Sequence, residues 1–386
     1  MLIFLMIVGF AVALNIRITD PLLPSLAAEF QSTPGRVAII SVFYATAHGL
    51  MQFVGGPLGD RMGKLRVLTV VAGAAAMMTA AAALADSITT LSIFRFLSGA
   101  TAAIAFPLAL AYIGDTVPYE SRQVIIARLL GAAMVGTMFG QAVSGIVADL
   151  LDWRTVFLIV GAMFAVAAGG LAFTHGLRRG APQSDGNPGI LKGLLSPIAL
   201  LRRPQARLVL GATIAEGFLC LGATTFLGAY LHDRFDLSYS QIGLVLALFG
   251  AGGVAYTLVA PWLIVRLGER GLVTFGGLVF CLFFGAVAVT PVWQLVPLFL
   301  FICGVSLLML HNTLQVRATQ MAPEMRGAAV SSFAAAFFFG QLGGVALWGR
   351  VYDQFGGSPV FATAAVLFLA VVLVLRRRFG NAGVNV

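Results

Sequence analysis

Apolar residues run along this chain in long windows, separated by short gaps that carry charge, glycine or proline. Reading the windows between that punctuation gives twelve apolar segments: 2–27, 37–57, 66–85, 90–114, 124–148, 154–175, 206–231, 240–264, 271–290, 294–317, 328–350 and 358–376. Each is close to the ~20 residues a helix needs to cross a hydrocarbon core. The pattern predicts an all-α integral membrane protein with twelve transmembrane helices. Most gaps are short. The gap at 176–205 is long and holds Arg178, Arg179, the polar stretch 180–189, Lys192, Arg202 and Arg203. It divides the segments six and six. The expected organisation is a six-helix bundle over 1–175, a linker over 176–205 and a second six-helix bundle over 206–386.

Composition supports a lipid environment. Fifty-nine per cent of the 386 residues are hydrophobic and 10% are charged, whereas a soluble chain devotes roughly a quarter of its residues to charge. The 45 glycines are scattered among Leu, Ala, Val and Phe, as in helices that pack closely in lipid. A net charge of +9 does not indicate nucleic acid, because the basic residues sit in short clusters between apolar runs. Most of the 24 Lys and Arg residues fall in the alternate loops 58–66, 115–124, 176–207, 265–270, 317–327 and the tail 376–386. The opposite set of loops holds Arg36, Arg154, Arg234 and Arg350. This asymmetry orients helices with their basic loops inside. It predicts a multi-pass protein of a plasma (bacterial inner) membrane with both termini and the linker cytoplasmic. An odd number of helices would break the alternation. Residues 1–14 carry no basic leader and no small-residue cleavage site, so they are expected to be a first helix and not a removed signal. Cys220, Cys281 and Cys303 all fall in apolar segments and are expected to pack without forming a disulfide.

The two halves echo each other. Gly56-Pro-Leu-Gly-Asp-Arg-Met-Gly63-Lys-Leu-Arg is matched by Pro261-Trp-Leu-Ile-Val-Arg-Leu-Gly268-Glu-Arg. Phe30 and Phe235 precede Gly63 and Gly268 by the same 33 residues. Phe139-Gly140-Gln141 is echoed by Phe339-Gly340-Gln341, and Glu120 and Arg122 by Glu324 and Arg326. Parallel repeats of this kind place a transport site at the interface between them.

Gly56 to Arg66 closely resembles the loop signature of the major facilitator superfamily, G-x-L-x-D-R-x-G-R/K. Leu91-Ser-Ile-Phe-Arg95-Phe-Leu-Ser-Gly99 resembles the L-x-x-x-R-x-x-x-G motif of its proton-coupled members, and Trp153-Arg154-Thr-Val-Phe157 resembles the W-R-x-x-F entry to the sixth helix. The likeness covers essentially the whole chain and is greatest to the twelve-helix drug:proton antiporter branch. It implies proton-coupled export of small drug-like or amphipathic molecules by alternating access. There is one departure. That branch carries G-x-x-x-G-P-x-x-G-G in the fifth helix, whereas here Gln141 follows Gly140 where proline is expected. This substitution keeps open the alternative of an uptake symporter or facilitator for a sugar, organic acid or amino acid.

Particular residues carry the chemistry. The resemblance implies that Gly56, Asp60, Arg61, Gly63 and Lys64 form a latch on the cytoplasmic side. A carboxylate such as Asp60 at a helix end gains about 0.3–1 kcal/mol against a neighbouring helix N-terminus. Arg61, Lys64 and Arg66 can bridge to Asp115 or Glu120. Arg95 lies inside a span, where a guanidinium costs about 2.5–3.5 kcal/mol or more. It must either snorkel or face a polar partner, such as a protonatable carboxylate. Asp20 precedes Pro21 and lies three residues after Arg17, on the same helical face. It is either a proton carrier or a local ion pair. Glu216 is the other buried acid. It either carries a proton or is a cavity-lining or snorkelling residue near the cytoplasmic end of its helix. Tyr44, Gln141, Phe226, His311, Asn312 and Gln341 are candidates for lining a substrate cavity, and packing is the competing role for each. No P-loop, metal-ligand spacing or catalytic Ser/His/Asp arrangement is present in the sequence, so no enzymatic activity, cofactor or metal is expected. The expected partners are the lipid bilayer, a small-molecule substrate and protons, with the protein a monomer. A receptor or assembly subunit would need a larger soluble part than the tail 376–386 supplies.

Overall fold

The structure is a computed structural model that describes residues 1–175 and 199–379. Residues 176–198 of the expected linker and the tail 380–386 lie outside the described residues. Among the described residues every regular element is helical. Nine helices are long and apolar enough to cross a membrane, or ten if the bent pair Pro34–Met51 and Gly55–Met62 is one span. Two further features account for the other expected segments. Tyr239–Val289 runs for 51 residues, about 77 Å at 1.5 Å per residue, more than twice a hydrocarbon core of about 30 Å. It is interrupted at Gly268, whose φ of 59° and ψ of 176° are not helical. Leu2–Arg17 is short, but the chain resumes a helix at Leu23–Glu29 after a turn. Each of the twelve apolar segments is therefore helical.

Helices are labelled here by segment. α1 is Leu2–Arg17 with its continuation Leu23–Glu29, and α2 is Ile39–Met51, entered through Pro34–Val37 and left through Gly55–Met62. α3 is Lys64–Ala81, α4 Ile88–Thr116, α5 Tyr119–Leu150 and α6 Trp153–His175. α7 begins as Pro204–Glu216, passes through a π-helical turn at Gly217–Leu221 and ends as Leu227–Phe235. α8 and α9 are the parts of Tyr239–Val289 before and after Gly268. α10 is Val296–Gln320, α11 Arg326–Phe355 and α12 Gly357–Phe379. The starts are chemically explicit. Ser87 accepts from the Thr90 N–H at α4, and Ser238 and Gln241 form a capping box at α8. Such side chains satisfy N–H groups that a helix start leaves unpaired. Gly63 separates Gly55–Met62 from α3 with φ 89°, a conformation that glycine adopts without steric cost.

Glycines set the helix crossings. A methyl added at Gly136 or Gly140 of α5 would meet the Phe10 or Leu14 carbonyl of α1. One added at Gly340 or Gly344 of α11 would meet the Ile214 or Phe218 carbonyl of α7. All four correspondences are 204 residues apart. They fix the repeat register and correct the sequence alignment. Gly140 corresponds to Gly344, not Gly340, so the Phe-Gly-Gln echo is one helical turn out of register, and Gln141 and Gln341 are not equivalent. The Glu120/Glu324 and Arg122/Arg326 echo has the 204-residue spacing.

α1–α6 meet α7–α12 chiefly where α5 packs on α8 and α2 on α11. The close approaches run from Gly145 against the Tyr239 carbonyl to Gly250 against Met138, and from Gly35 against the Gly349 carbonyl to Gly49 against Phe338 and Phe339. These contacts begin at the end bearing the 30–34, 150–153, 235–239 and 355–357 connections and reach about mid-helix. That end is called the closed end below, and the end carrying Gly63 and Gly268 the basic end.

The α8–α10 crossing is reciprocal. A methyl at Gly252 would meet the Phe301 carbonyl, and one at Gly304 the Phe249 carbonyl. Gly304→Val is expected to destabilise the protein by about 1–3 kcal/mol through overpacking, read as a lowered unfolding midpoint in detergent. Gly56→Ala, whose added methyl meets nothing within 4 Å, is expected to stay within about 0.5 kcal/mol.

Candidate functional site

Three buried polar groupings occupy the middle of the bundle. The first is on α1. The helix stops at Arg17, the chain turns through Ile18–Leu22, and Pro21 and Pro24 supply no backbone N–H. The turn brings Arg17 Nη1 to 3.1 Å from Asp20 Oδ2, with both side chains buried. Gln141 of α5 is buried close to the same carboxylate, and Thr19 and Ser41 share a 3.1 Å hydrogen bond beside it.

The second grouping surrounds Arg95, which is 1% exposed. Its Nη1 donates to Asn15 Oδ1 at 2.6 Å and its Nη2 to the Asn15 carbonyl at 3.1 Å. Asn15 donates in turn to Ser98 Oγ at 2.9 Å, which is paired with Thr79 at 2.7 Å. The guanidinium lies 4.0 Å from the centre of the Tyr44 ring, where the ring quadrupole attracts a cation. The expected carboxylate partner is thus replaced by a neutral amide and an aromatic face, and Arg95 does not snorkel. This solution bonds both terminal nitrogens without a second buried ion, whose desolvation costs several kcal/mol, and leaves Nε with no hydrogen-bond partner among the described residues.

The third grouping was not foreseen as a pair. Glu216 is 0% exposed, at mid-span and not near a helix end. It sits immediately before the π-helical turn of α7, a distortion frequently found at functional sites. Its Oε1 is 3.0 Å from His311 Nδ1 of α10, and its Oε2 has no hydrogen-bond partner among the described residues. Both residues line a cavity of about 240 Å³ that also touches Ile16, Arg17, Met134 and Thr137 from the other half of the chain, with Phe249, Phe337 and Phe338 among its apolar walls. The cavity therefore presents the half-satisfied Glu216 carboxylate with His311 on one side and Arg17, itself paired with Asp20, on the other, in a largely apolar and aromatic space.

Other candidates lie elsewhere. Phe226 is buried against Tyr352, with ring centroids 5.4 Å apart, and packs near the closed end. Tyr44 is packed between Arg95 and His48. Asn312 follows His311 on α10 and is near Tyr256. Gln341 is buried, with its backbone N–H beside Gly217. None of these four lines the cavity. Of the six cavity candidates only His311 does, while Gln141 sits beside Asp20. At the basic end Lys64 Nζ lies 2.5 Å from Asp115 and 3.5 Å from Asp60. This is one of the bridges expected around Gly63. Arg61 is on the same helix as Asp60, and Gly56 faces open space.

Residues 5–341 match the family model described as Major Facilitator Superfamily. The tetracycline resistance protein, class G, of Vibrio anguillarum is 28% identical over 398 residues, covering 98% of this chain and 98% of that protein. The multidrug efflux protein YfmO of Bacillus subtilis (strain 168) is 24% identical over 394 residues, covering 96% of this chain and 91% of its own. Among solved structures, a mutant of the peptide transporter POT in complex with sulfate superposes with a TM-score of 0.81 at 16% identity, over 98% of this chain and 94% of that one. That likeness concerns the fold.

The Arg95 network makes a stability prediction. Arg95→Met removes two hydrogen bonds from a charged donor and orphans Asn15 Oδ1. It is expected to cost about 2–3 kcal/mol, seen as a lowered unfolding midpoint. Tyr44→Phe, which keeps the ring face under the guanidinium, is expected to cost less than about 1 kcal/mol.

Proposed function

We propose that this chain, which belongs to the major facilitator superfamily of membrane transporters, is a proton-coupled exporter of small drug-like or amphipathic molecules. It acts as a monomer in a plasma (bacterial inner) membrane, with both termini in the cytoplasm. The observation that carries this reading is the Glu216–His311 pair in the wall of a largely apolar cavity that Arg17, the partner of Asp20, also lines. A cargo with an apolar body and a hydrogen-bond donor would find aromatic walls and the unpartnered Oε2 of Glu216. A proton on the same carboxylate would compete with that donor. Competition of this kind is what couples proton entry to cargo exit. The resistance and efflux relatives support export, and the basic loops support the orientation.

In this reading the two halves, 1–175 and 206–386, rock about the cavity. The pairs around Lys64, with Gly56, Asp60, Arg61 and Gly63, belong to the cytoplasmic latch. Asp20, held by Arg17 and close to Gln141, is the second carrier candidate, and Arg95 positions α1 beneath it through Asn15. A second reading, uptake of a small metabolite, is favoured by one observation. Gln141 stands where the export motif has proline, buried close to Asp20.

In proteoliposomes carrying a pH gradient, Glu216→Gln and Asp20→Asn are expected to reduce gradient-driven flux to background, while counterflow without a gradient persists. Unchanged gradient-driven flux in both variants would remove the coupling assignment. Overexpression is expected to raise resistance to at least one amphipathic compound. Increased accumulation of a metabolite, with no resistance phenotype, would favour uptake instead.

A further inference from the structure

The closed end carries two carboxylates that neither the sequence motifs nor the cavity uses. Asp149, near the end of α5, accepts from the Tyr239 N–H at 3.1 Å through Oδ1 and from the Ser240 N–H at 2.6 Å through Oδ2. Those are the first N–H groups of α8, in the other half of the chain. Asp353, near the end of α11, accepts from the Gly35 N–H at 2.9 Å through Oδ1 and from the Thr33 hydroxyl at 2.6 Å through Oδ2. Gly35 is in the first turn of the helix Pro34–Met51, again in the other half. Pro34 has no N–H to give, and the Thr33 hydroxyl supplies the second donor.

The two arrangements repeat the register that the helix crossings fixed. Asp149 and Asp353 are 204 residues apart, as are Gly35 and Tyr239, and Gly145 and Gly349. The flanking approaches repeat as well. A methyl at Gly145 would meet the Tyr239 carbonyl, and one at Gly349 would meet the Gly35 carbonyl. In each case a glycine contact lets the backbones touch, and one turn further on a carboxylate caps the opposing helix start. A carboxylate at a helix N-terminus gains from both its hydrogen bonds and the helix dipole. At the basic end, by contrast, Lys64–Asp115 and Arg317–Glu269 each join residues of one half. The repeat position of Asp60, counted from Gly63 and Gly268, is Val265.

We propose that Asp149 and Asp353 are a twofold-related pair of latches that hold the closed end shut, and that opening this end requires both to release together. The cargo's identity does not enter, so the inference stands apart from the export reading. Each latch joins one half of the chain to the other, and each therefore biases the same rocking equilibrium by a similar amount.

The test uses the full chain with Cys220, Cys281 and Cys303 replaced and a reporter introduced as Thr137→Cys in the cavity wall. Labelling by a membrane-impermeant maleimide is measured from each face of oriented vesicles. Asp149→Asn and Asp353→Asn are each expected to raise the ratio of closed-end to basic-end labelling about fivefold, and the double variant is expected to exceed either. Thr33→Val removes one bond of one latch, together with the hydroxyl's cap on the Arg36 N–H, and buries no new charge. It is expected to raise the ratio by a smaller factor, and it keeps the test readable if an aspartate variant fails to fold. If a folded Asp149→Asn or Asp353→Asn protein keeps the parental ratio, the paired latch is wrong. A parental ratio for Thr33→Val, with Asp353→Asn unfolded, overturns it equally.

Discussion

A charge buried in an apolar, lipid-facing bundle must be satisfied within it, and that requirement organises this protein. Arg17, Asp20, Arg95 and Glu216 are all buried, and each is held by a different device. Arg17 and Asp20 pair locally across a broken helix. Arg95 uses an amide and a tyrosine ring. Glu216 leans on a histidine from another helix. The break in α1 and the π-helical turn in α7 both lie immediately beside these charges. The departures from regular helix therefore occur where charge has to be accommodated, and the rest of α1 and α7 can remain close-packed.

Glycine supplies the complementary constraint. Carbonyl-to-glycine approaches at α1–α5, α7–α11 and α8–α10 bring backbones near enough for side chains on adjacent helices to reach one another. The scaffold these crossings build is nearly twofold, while its polar content is not. Asn15 and Arg95 have no charged counterpart pair in the second half, and Glu216 with His311 has none in the first. A nearly symmetric frame thus carries asymmetric chemistry.

The helical segments and their alternation were legible because hydropathy and charge act locally along the chain. The loop motif at Gly56–Arg66 was legible too, and Lys64 meets Asp115 as its charge suggested. What failed was long-range. Glu216 and His311 stand 95 residues apart, and no local pattern links an acid on α7 to an imidazole on α10. Asn15 is a single polar residue in an apolar run, and only the α1–α4 crossing shows that it faces Arg95. The Phe-Gly-Gln echo misled because residue identity outweighed helical register. One turn of slip leaves the same helix face presented, so the sequence offered no penalty for the wrong alignment. Phe226 illustrates the remaining ambiguity: an aromatic residue in a span packs or binds according to neighbours that the sequence does not reveal.

The central claim is that cargo and proton compete at the Glu216–His311 pair. Its most direct test is proton release on binding, followed with a pH indicator in weakly buffered detergent solution between about pH 6 and 8. The probe is an amphipathic compound that raises the protein's unfolding midpoint. Mixing protein with this compound should release protons in proportion to occupancy, and Glu216→Gln should abolish the release while detectable binding remains. Saturating binding with no proton release across that range, or equal release from Glu216→Gln, would contradict the account.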